Sequence, residues 1–355
     1  MGRRTKKKKK NTKLKVFIAI FLLTIIIASG VVTGVKIFEN GGGLKGLLAT
    51  ILGEDTRNVS NVEPITVLLL GISEDLDSRL TDTIMVCSYN PKTQRASMLS
   101  IPRDTFIGDS KTSVGGYDKI NSVYSRSGAK GTIREVEDII DKEIDYYAVV
   151  NTKALINIVD IIGGVEFYVP MDMDYDDPTQ DLHIYLEEGM QLIDGEKAEQ
   201  LLRFRHNNDG STYPQEYGDN DYGRMRTQRE FIKETVKQTL QIKNITKANK
   251  IISAVFENIE TNLDEDAIKQ YIPYAIDFNP DDILMEQLPG ASEKYNNVWI
   301  YEHSKKQTTA LMQEIENYLN NVVQTDETNT TNTTNTENTT KTTNTTKKSN
   351  KNNTD

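Results

Sequence analysis

The stretch ITVLLLGISEDLDSRLTDTIMVCSYNPKTQRASMLSIPRD, residues 65–104, decides the fold class. It begins with the uninterrupted apolar run Ile65–Leu70, which predicts a strand buried on both faces. Two further strands are predicted at Ile84–Tyr89 and Arg95–Ile101, on either side of the turn residues Asn90–Thr93. The stretch therefore predicts a buried strand, an acidic loop and a β-hairpin.

Strands and helices alternate in the residues that follow. Helices are predicted at Thr132–Lys142 and Thr152–Ile162, the second capped by Thr152 and ended by Gly163-Gly164. Strands are predicted at Tyr146–Val150 and Val165–Val169. This alternation predicts an α/β domain, with α+β character, in which helices flank a central mixed β-sheet.

The second half of the domain is predicted to be mainly helical. A loop rich in Asp and Tyr spans Met171–Asp181, and Asp194-Gly195 forms a tight turn. Helices are predicted at Glu196–Leu202, Arg229–Thr239, Lys247–Ile259, Asp264–Tyr274 and Lys306–Val322, with an edge strand at Ile283–Leu288.

Charge and composition exclude several classes of function. The formal net charge is −10, yet residues 1–15 carry nine Lys or Arg and no acid. The rest of the chain is therefore strongly acidic, which argues against nucleic-acid binding outside a local patch. Cys87 is the single cysteine, which excludes a disulfide within the chain and a multi-cysteine metal site. Three histidines make a zinc site built on several of them improbable.

The N-terminal sequence predicts a membrane anchor. Val16–Val35 is an uncharged apolar run long enough to cross a bilayer as a helix. The basic block before it favours a cytoplasmic N-terminus, which would place the rest of the protein outside the cell. A cleaved signal peptide ending near Ala28-Ser29-Gly30 is the alternative, but its central apolar segment is normally shorter.

These features predict the domain organisation. The protein would be a single-pass protein of the cell membrane with an extracytoplasmic domain. The C-terminal tail, rich in Thr, Asn and Lys, lacks the apolar residues needed to offset the entropy of ordering. The predicted segments are a basic cytoplasmic segment (1–15), a transmembrane helix (16–35), a linker (36–61), the globular domain (62–323) and a disordered tail (324–355).

An arginine-rich stretch, RFRHNNDGSTYPQEYGDNDYGRMRTQR at Arg203–Arg229, is the strongest candidate for a binding site. Guanidinium groups suit phosphate and carboxylate oxygens, so the stretch indicates a pocket for a phosphorylated ligand. Surface ion pairs with the local acids are the alternative. On a strand, Arg203 and Arg205 would point to one face, and on a helix Arg224 and Gln228 would share one.

Two other segments can complete such a site. Asp221 lies at a predicted helix start, where a carboxylate can cap backbone N–H groups and where anions also bind. Asp75, Asp77 and Asp82 follow the buried strand, and clustered carboxylates suit Mg²⁺, although a solvated acidic loop has the same composition.

Arg103 follows a strand directly behind Pro102, where α/β folds build sites; an ion pair with Asp104 is the alternative. His206 follows the first arginine pair and either contacts the ligand or lies on the surface. No G-x-S-x-G elbow and no Walker loop occur in the sequence.

These motifs, in this order, resemble the LytR–CpsA–Psr (LCP) family of membrane-anchored cell-wall proteins. The resemblance covers Ile65–Lys233 well and the rest of the globular part loosely. It rests on LTDTIMVCSYNPKTQRASMLSIPRDTF (Leu80–Phe106), KIN (Lys119–Asn121), IIGGVEFYV (Ile161–Val169), EEGMQLIDGEKAEQLLRFRH (Glu187–His206) and DYGRMRTQREF (Asp221–Phe231).

The resemblance implies a phosphotransferase that takes a glycopolymer from a polyprenyl-pyrophosphate carrier. The polymer would be joined by a phosphodiester to a sugar hydroxyl of peptidoglycan. The lipid tail would enter a hydrophobic pocket between sheet and helices, while arginines hold the pyrophosphate and aspartates hold Mg²⁺ or Mn²⁺. The partners would be the lipid-linked polymer, peptidoglycan and the membrane, with no nucleic acid.

Carried over by motif, the resemblance assigns roles to individual residues. The catalytic group would be Arg103, Arg203, Arg205, Arg224 and Asp82, assisted on the substrate side by Lys119, Gln228 and Asp221. Asp82 would also hold the metal, and Asp82 or a neighbouring acid would deprotonate the acceptor hydroxyl. Arg226 and Arg229 fall outside the matched positions and are assigned to surface or ion-pair roles.

One departure from the family pattern leaves a choice open. The family usually has Gly-x-Asp directly after the first strand, whereas Ile72-Ser73 follow Gly71 here. The second metal-side acid would then be Asp75 or Asp77. The sequence also leaves open a non-catalytic, membrane-anchored regulator, a polyprenyl-pyrophosphate hydrolase, and the identity of the polymer, whether teichoic acid, capsule or another.

Overall fold

The computed structural model describes residue 33 and residues 35–53, 62–73, 80–241, 247–275, 277–295 and 297–321, without the side chain of residue 73. Asp75 and Asp77, the basic segment 1–15, nearly all of the predicted transmembrane helix and the predicted tail therefore lie outside the described residues. Within the described ranges, no helix has the length and apolar character needed to cross a membrane.

The described residues form twelve strands, most of them short. Their bounds are β1 (Ile65–Ser73), β2 (Leu80–Asn90), β3 (Arg95–Ser100), β4 (Tyr146–Asn151), β5 (Val165–Val169), β6 (Met173–Asp177), β7 (Leu182–Leu186), β8 (Gly189–Ile193), β9 (Glu260–Thr261), β10 (Leu284–Gln287), β11 (Gly290–Tyr295) and β12 (Val298–His303).

Nine α-helices accompany these strands in the same ranges. Their bounds are α1 (Gly43–Leu52), α2 (Val123–Ile140), α3 (Thr152–Ile162), α4 (Gly195–Arg203), α5 (Asn220–Thr239), α6 (Ala248–Asn258), α7 (Glu265–Lys269), α8 (Ile272–Ala275) and α9 (Lys305–Asn320).

A six-stranded sheet in the order β10-β3-β2-β1-β4-β9 is the centre of the domain. β1 pairs in parallel with β4, and β3 with β10, while the other neighbours are antiparallel. The predicted α/β fold with a mixed sheet is therefore confirmed. Pairs β5–β8, β6–β7 and β11–β12 form three separate two-stranded sheets.

β1 separates the core from a cavity because successive side chains of a strand point to opposite faces. Leu68 and Leu70 are fully buried and belong to the main core, together with Val136 of α2 and Leu319 of α9. Leu69, between them, lines a cavity on the other face of the sheet. A second core, under β5–β8, contains Phe167, Ile184, Leu201 and Phe204, among others.

Gly71 lets β2 approach β1 closely at the end of the strand. A Cβ atom at this position would lie 2.9 Å from Cβ of Thr83. The strand register shifts immediately afterwards, between Gly71 and Ile72. A larger residue would therefore push apart the two strands whose ends line the cavity.

Several boundaries differ from the sequence-based expectation. β2 begins at Leu80, so Asp82 lies on a strand and not in the acidic loop. α2 begins at Val123, nine residues before the predicted start, and bends at Gly128. The helix predicted at Asp264–Tyr274 is divided into α7 and α8. The cap of α3 is Asn151, whose side chain accepts a hydrogen bond from the amide of Ala154, and not Thr152.

The loop predicted at Met171–Asp181 is wrong, because β6 and the turn to β7 occupy it. In β6, Asp174 and Asp176 alternate with Met173 and Tyr175, whose side chains pack in the second core. High polarity concealed this period-two pattern. In the predicted linker 36–61 lies α1, whose Leu48 and Leu52 pack against Ile252 of α6.

Candidate active site

A cavity of about 580 Å³ lies between the sheet and helices α3 and α5. Much of its wall is apolar, and the central sheet and two helices contribute most of that part. The apolar lining residues include Leu69, Ile72 and Val150 from the sheet, Leu155, Ile158 and Val159 from α3, and Phe231, Ile232 and Val236 from α5. A volume of this size is typical of small-molecule and cofactor sites.

The polar part of the wall contains most of the residues that the sequence singled out. Asp82 comes from β2, and Arg103 follows β3. Arg203 ends α4 and Arg205 follows it, while Arg224 and Gln228 lie on α5. The polar lining residues include Asp82, Arg103, Arg203, Arg205, His206, Arg224 and Gln228.

Arg103 and Asp82 form a close ion pair across the ends of two adjacent strands. Nη1 of Arg103 lies 2.5 Å from Oδ1 of Asp82. The alternative considered for Arg103, an ion pair with Asp104, is not observed, since Asp104 instead accepts a 2.8 Å hydrogen bond from Nζ of Lys119. Lys119 thus lies next to the site without lining the cavity, and Asp104 is a nearby acid that the sequence did not mark as functional.

Asp221 is shared between two arginines. Its Oδ1 lies 2.6 Å from Nη2 of Arg224 and 3.4 Å from Nε of Arg205. It stands in the first turn of α5, and the residue before the helix is Asp219. The predicted capping role of Asp221 is therefore wrong, because its carboxylate is turned toward the arginines.

Arg203 and Arg205 do not lie on a strand, the conformation in which their spacing would point both to one face. Arg203 is the last residue of α4, and Phe204 leaves the helix with an extended backbone. Arg203 pairs with Glu199 one turn earlier, at 2.8 Å, and donates to the amide oxygen of Gln180 at 3.2 Å. Both arginines nevertheless line the cavity.

Arg224 and Gln228 share one face of α5, as their spacing predicted. Both are nearly inaccessible to solvent. Nε2 of Gln228 donates a hydrogen bond of 3.1 Å to the carbonyl of Leu202, one residue before Arg203. Gln228 therefore joins α5 to the end of α4 and so positions Arg203.

Within the part of the chain that the structure describes, the four arginines of the cavity wall outnumber the three carboxylates paired with them. Arg103 has Asp82 and Arg203 has Glu199, but Arg205 and Arg224 share Asp221. Burial lowers the pKa of the Arg205 guanidinium, and the nearby charges of Arg103 and Arg224 lower it further. Asp221 and Asp104 oppose these effects but do not outweigh them, so the described residues leave the charge of Arg205 incompletely compensated.

For Arg103, the neighbouring carboxylates together have a larger effect on the pKa than burial does. Burial lowers the pKa of its guanidinium, but Asp82, Asp221 and Asp104 more than offset this effect, so the pKa is raised. Among the atoms of the described residues, the buried Nε groups of Arg103, Arg205 and Arg224 have no hydrogen-bond partner. A buried unsatisfied donor costs about 1–3 kcal/mol, so an anionic ligand that accepted these bonds would be favoured.

Arg226 and Arg229 do not line the cavity. Arg226 pairs with Glu230 at 2.8 Å, which fits the expected ion-pair role. Arg229 is not a surface residue; it is half-buried and donates a 2.9 Å hydrogen bond to the hydroxyl of Ser100. His206 does line the cavity, and its Nδ1 lies 3.0 Å from the carbonyl of Asn207.

No three His, Cys, Asp or Glu side chains are grouped closely enough to hold a metal ion within the described ranges. Of the three predicted metal-side acids, only Asp82 lies in those ranges. Protein sites for Mg²⁺ usually supply one or two carboxylates and leave the rest of the coordination shell to phosphate and water. The Asp82 carboxylate, beside a cationic cluster, fits that donor set.

Comparison with known proteins places these features in a family context. Residues 48–317 match the model of the LytR_cpsA_psr family. Biofilm regulatory protein A of Streptococcus mutans is 30% identical over 267 residues, which cover 71% of this chain and 63% of that relative. The chain thus spans less than two thirds of that relative's length.

Two further proteins match this chain over a larger share of their own length. The polyisoprenyl-teichoic acid–peptidoglycan teichoic acid transferase TagU of Enterococcus faecalis is 29% identical over 268 residues, 74% of this chain and 82% of TagU. The crystal structure of B. subtilis TagV has a TM-score of 0.61 and 25% identity, over 72% of this chain and 97% of TagV.

Proposed function

The chain belongs to the LytR–CpsA–Psr family, and from this premise we propose that it transfers a glycopolymer from a polyprenyl-pyrophosphate carrier to peptidoglycan. The product is a phosphodiester between the polymer and a sugar hydroxyl of the wall. One observation carries the proposal: a largely apolar cavity wall adjoins a cluster of arginines that, among the described residues, outnumber the carboxylates paired with them. A long lipid ending in a pyrophosphate has the complementary chemistry.

The apolar wall accounts for the lipid part of the donor. Side chains of β1, β4, α3 and α5 surround the cavity, and each lipid methylene buried there contributes about 0.8 kcal/mol. Leu69 and Ile158, from the sheet and from α3, are two of these lining residues. The polyprenyl chain would lie among them, with its pyrophosphate at the arginines.

The arginines account for the pyrophosphate. Among the described residues, the carboxylate paired with Arg205 is that of Asp221, which Arg224 shares, so this part of the site favours an added negative charge. The unsatisfied Nε groups of Arg103, Arg205 and Arg224 would donate to phosphate oxygens. Arg203 lines the same cavity and would contribute a further guanidinium group.

The reaction requires alignment and charge stabilisation more than covalent chemistry by the protein. The acceptor hydroxyl attacks the phosphorus atom that bears the polymer, and the bond from that phosphorus to the bridging oxygen breaks. Polyprenyl phosphate leaves with the bond's electron pair, and the arginines stabilise its developing charge. The hydroxyl proton passes to Asp82 or to a neighbouring carboxylate.

A divalent cation, Mg²⁺ or Mn²⁺, would be held by Asp82 together with Asp75 or Asp77, which lie outside the described residues. When bound, it would offset negative charge on the pyrophosphate oxygens. Lys119, kept close by Asp104, and Asp221 would support the substrate side of the site.

Retention at the membrane is part of the proposal. The apolar run Val16–Val35 and the basic residues before it support a single-pass anchor with a cytoplasmic N-terminus. Such an anchor would keep the cavity near the lipid donor and outside the cell, where the acceptor is. Glycopolymer transfer needs both substrates at that surface.

The test uses the full chain in detergent with a lipid-linked donor, in the presence and absence of peptidoglycan oligomers. We expect polymer to become attached to the oligomers and polyprenyl phosphate to be released only when the oligomers are present. Release without oligomers would identify a hydrolase instead. Binding of the donor without any turnover would identify a regulator, and either result would refute transfer.

A further inference from the structure

Residues 206–219 connect the two arginine-bearing segments of the site, and one hydroxyl bridges their ends. Oγ1 of Thr212 donates a hydrogen bond of 2.7 Å to the carbonyl of Arg205. The same oxygen accepts a hydrogen bond of 2.8 Å from the amide of Asn220, the first residue of α5. A single side chain therefore ties the backbone of Arg205 to the start of the helix that carries Asp221 and Arg224.

The backbone at the start of α5 requires such support. Asn220 has a φ of +43°, in the left-handed region that residues other than glycine seldom adopt. Such conformations are costly and persist only where the surrounding structure enforces them. Thr212 supplies the acceptor for the amide of this strained residue, and an isolated antiparallel bridge between His206 and Thr212 holds the loop closed.

Tyr213 reinforces the same connection from the adjacent position. Its ring is buried, and its hydroxyl donates a 3.2 Å hydrogen bond to the carbonyl of Phe204. The ring packs so closely on Gly223 that a Cβ there would lie 2.2 Å from a ring carbon. The chain before Arg205 and the first turn of α5 are thus held together by two consecutive residues.

We propose that Thr212 is a positioning residue that fixes Arg205 relative to Arg224. It thereby sets the geometry with which these two arginines bind the pyrophosphate. The inference rests on the proposed function, because it takes pyrophosphate as the ligand of these arginines. Thr212 is not among the described residues that line the cavity. It therefore acts through Arg205 and α5 without touching the ligand.

The test compares Thr212→Val, which keeps the shape but removes the hydroxyl, with Thr212→Ser, which keeps the hydroxyl. Thr309→Val is the matched control, because it removes a similar hydroxyl-to-carbonyl bond, to Lys305 on α9, away from the cavity lining. Affinities of the full chain are measured for two probes, geranylgeranyl pyrophosphate and the uncharged geranylgeraniol. Both probes place the same lipid in the cavity, so the ratio of their two affinities reports the contribution of the pyrophosphate and the residues that bind it.

We expect Thr212→Val to weaken binding of geranylgeranyl pyrophosphate about tenfold, since small displacements of positioned groups have large effects. Binding of geranylgeraniol should stay within about twofold of the parent, as should both affinities of Thr212→Ser and Thr309→Val. A purely structural role would lower the melting temperature without changing the ratio of the two affinities. An unchanged ratio in folded Thr212→Val overturns the proposal.

If circular dichroism shows that Thr212→Val is unfolded, Thr212→Ala provides the hydroxyl-free variant and its affinity ratio decides. The measurements need no acceptor and no turnover. A parent protein that binds geranylgeranyl pyrophosphate but performs no transfer would refute the proposed function and leave this test intact. A parent protein that transfers polymer, together with an unchanged ratio in the variant, would refute the role of Thr212 alone.

Discussion

Arg224 donates a hydrogen bond from Nη2 to the main-chain carbonyl of Asp82, at 3.4 Å and across 142 residues of sequence. The same guanidinium pairs with Asp221, and its side chain is only 6% exposed. Arg224 thus joins α5 to β2 and is part of the framework of the site as well as of its lining. The side chain of Arg205 is 39% exposed, and among the described residues its ion pair is the longer one, 3.4 Å, to Asp221.

We predict that Arg205→Ala and Arg224→Ala differ in their effect on stability. Both should lower the rate of transfer by about 10²–10³, because each removes a donor that stabilises the leaving phosphate. Arg224→Ala should also lower the free energy of unfolding by at least about 2 kcal/mol, since it breaks a buried ion pair and leaves Asp221 poorly matched. Arg205→Ala should leave the free energy of unfolding nearly unchanged. Urea titrations and transfer assays measure the two effects.

Arg103→Ala belongs to the same series and should lower the rate of transfer to a similar extent. Arg226→Ala is the matched control, because Arg226 lies on α5 but pairs with Glu230 outside the cavity. It should keep the parent rate. Transfer at the parent rate by folded Arg103→Ala or Arg205→Ala would show that these arginines do not hold the pyrophosphate.

Removal of divalent cations should stop the reaction. If Asp82 holds Mg²⁺ or Mn²⁺ at the pyrophosphate, excess EDTA should reduce transfer to background, and added Mg²⁺ should restore it. Asp82→Asn should raise the Mg²⁺ concentration required for half-maximal rate, because the amide is a weaker ligand. Full activity in excess EDTA would remove the metal from the mechanism.

Much of the fold could be predicted because apolar patterning is a local property of the sequence. Ile65–Leu70 predicted β1, and the turn residues after Tyr89 predicted the β2–β3 hairpin, both of which are confirmed. The β6–β7 hairpin was missed, since its exposed face is so acidic that it resembled a loop. Its buried face, with Met173 and Leu182, contained the signal.

The sequence predicted which residues belong to the site, but not how their side chains pair with one another. Motifs indicated Arg103, Arg205 and Arg224, and the structure places all three along one cavity. Which carboxylate pairs with which arginine depends on how α5 packs against β2 and α4, and no local pattern encodes that. Sequence adjacency offered Asp104 as the alternative partner of Arg103, whereas Arg103 pairs with Asp82 and Asp104 with Lys119.

Mild acid should destabilise the protein partly through His303. Burial lowers the pKa of this side chain below its usual value of 6.5; Glu302 opposes the shift and Lys305 adds to it. The unfolded chain then binds a proton at His303 more readily than the native protein. The free energy of unfolding should therefore fall as the pH drops through 6.5 toward the lower native pKa.

His303→Gln should make this fall smaller, as measured by urea unfolding at pH 8 and pH 5. His183→Gln is a control of opposite sign, because Asp176 raises the pKa of His183 and native binding of the proton adds stability in acid. Its removal should make the fall larger. Equal falls in the parent and His303→Gln would contradict the assignment to His303.

Filling the apolar part of the cavity should separate recognition of the lipid from recognition of the pyrophosphate. Ile158 lines the cavity from α3, whereas Lys153, on the same helix, is exposed and does not line it. Ile158→Trp places a larger side chain in a space of about 580 Å³, and Lys153→Trp adds the same ring outside. The two variants therefore differ mainly in the volume left for a lipid.

We expect Ile158→Trp to weaken binding of geranylgeranyl pyrophosphate at least tenfold, because displacing two or more buried methylenes costs about 0.8 kcal/mol each. Binding of inorganic pyrophosphate should stay at the parent value, since the arginines are unaltered, and Lys153→Trp should bind both probes as the parent does. Titration calorimetry measures both affinities. If Ile158→Trp bound the lipid probe as tightly as the parent, the tail would not lie along this wall and the lipid assignment of the cavity would be wrong.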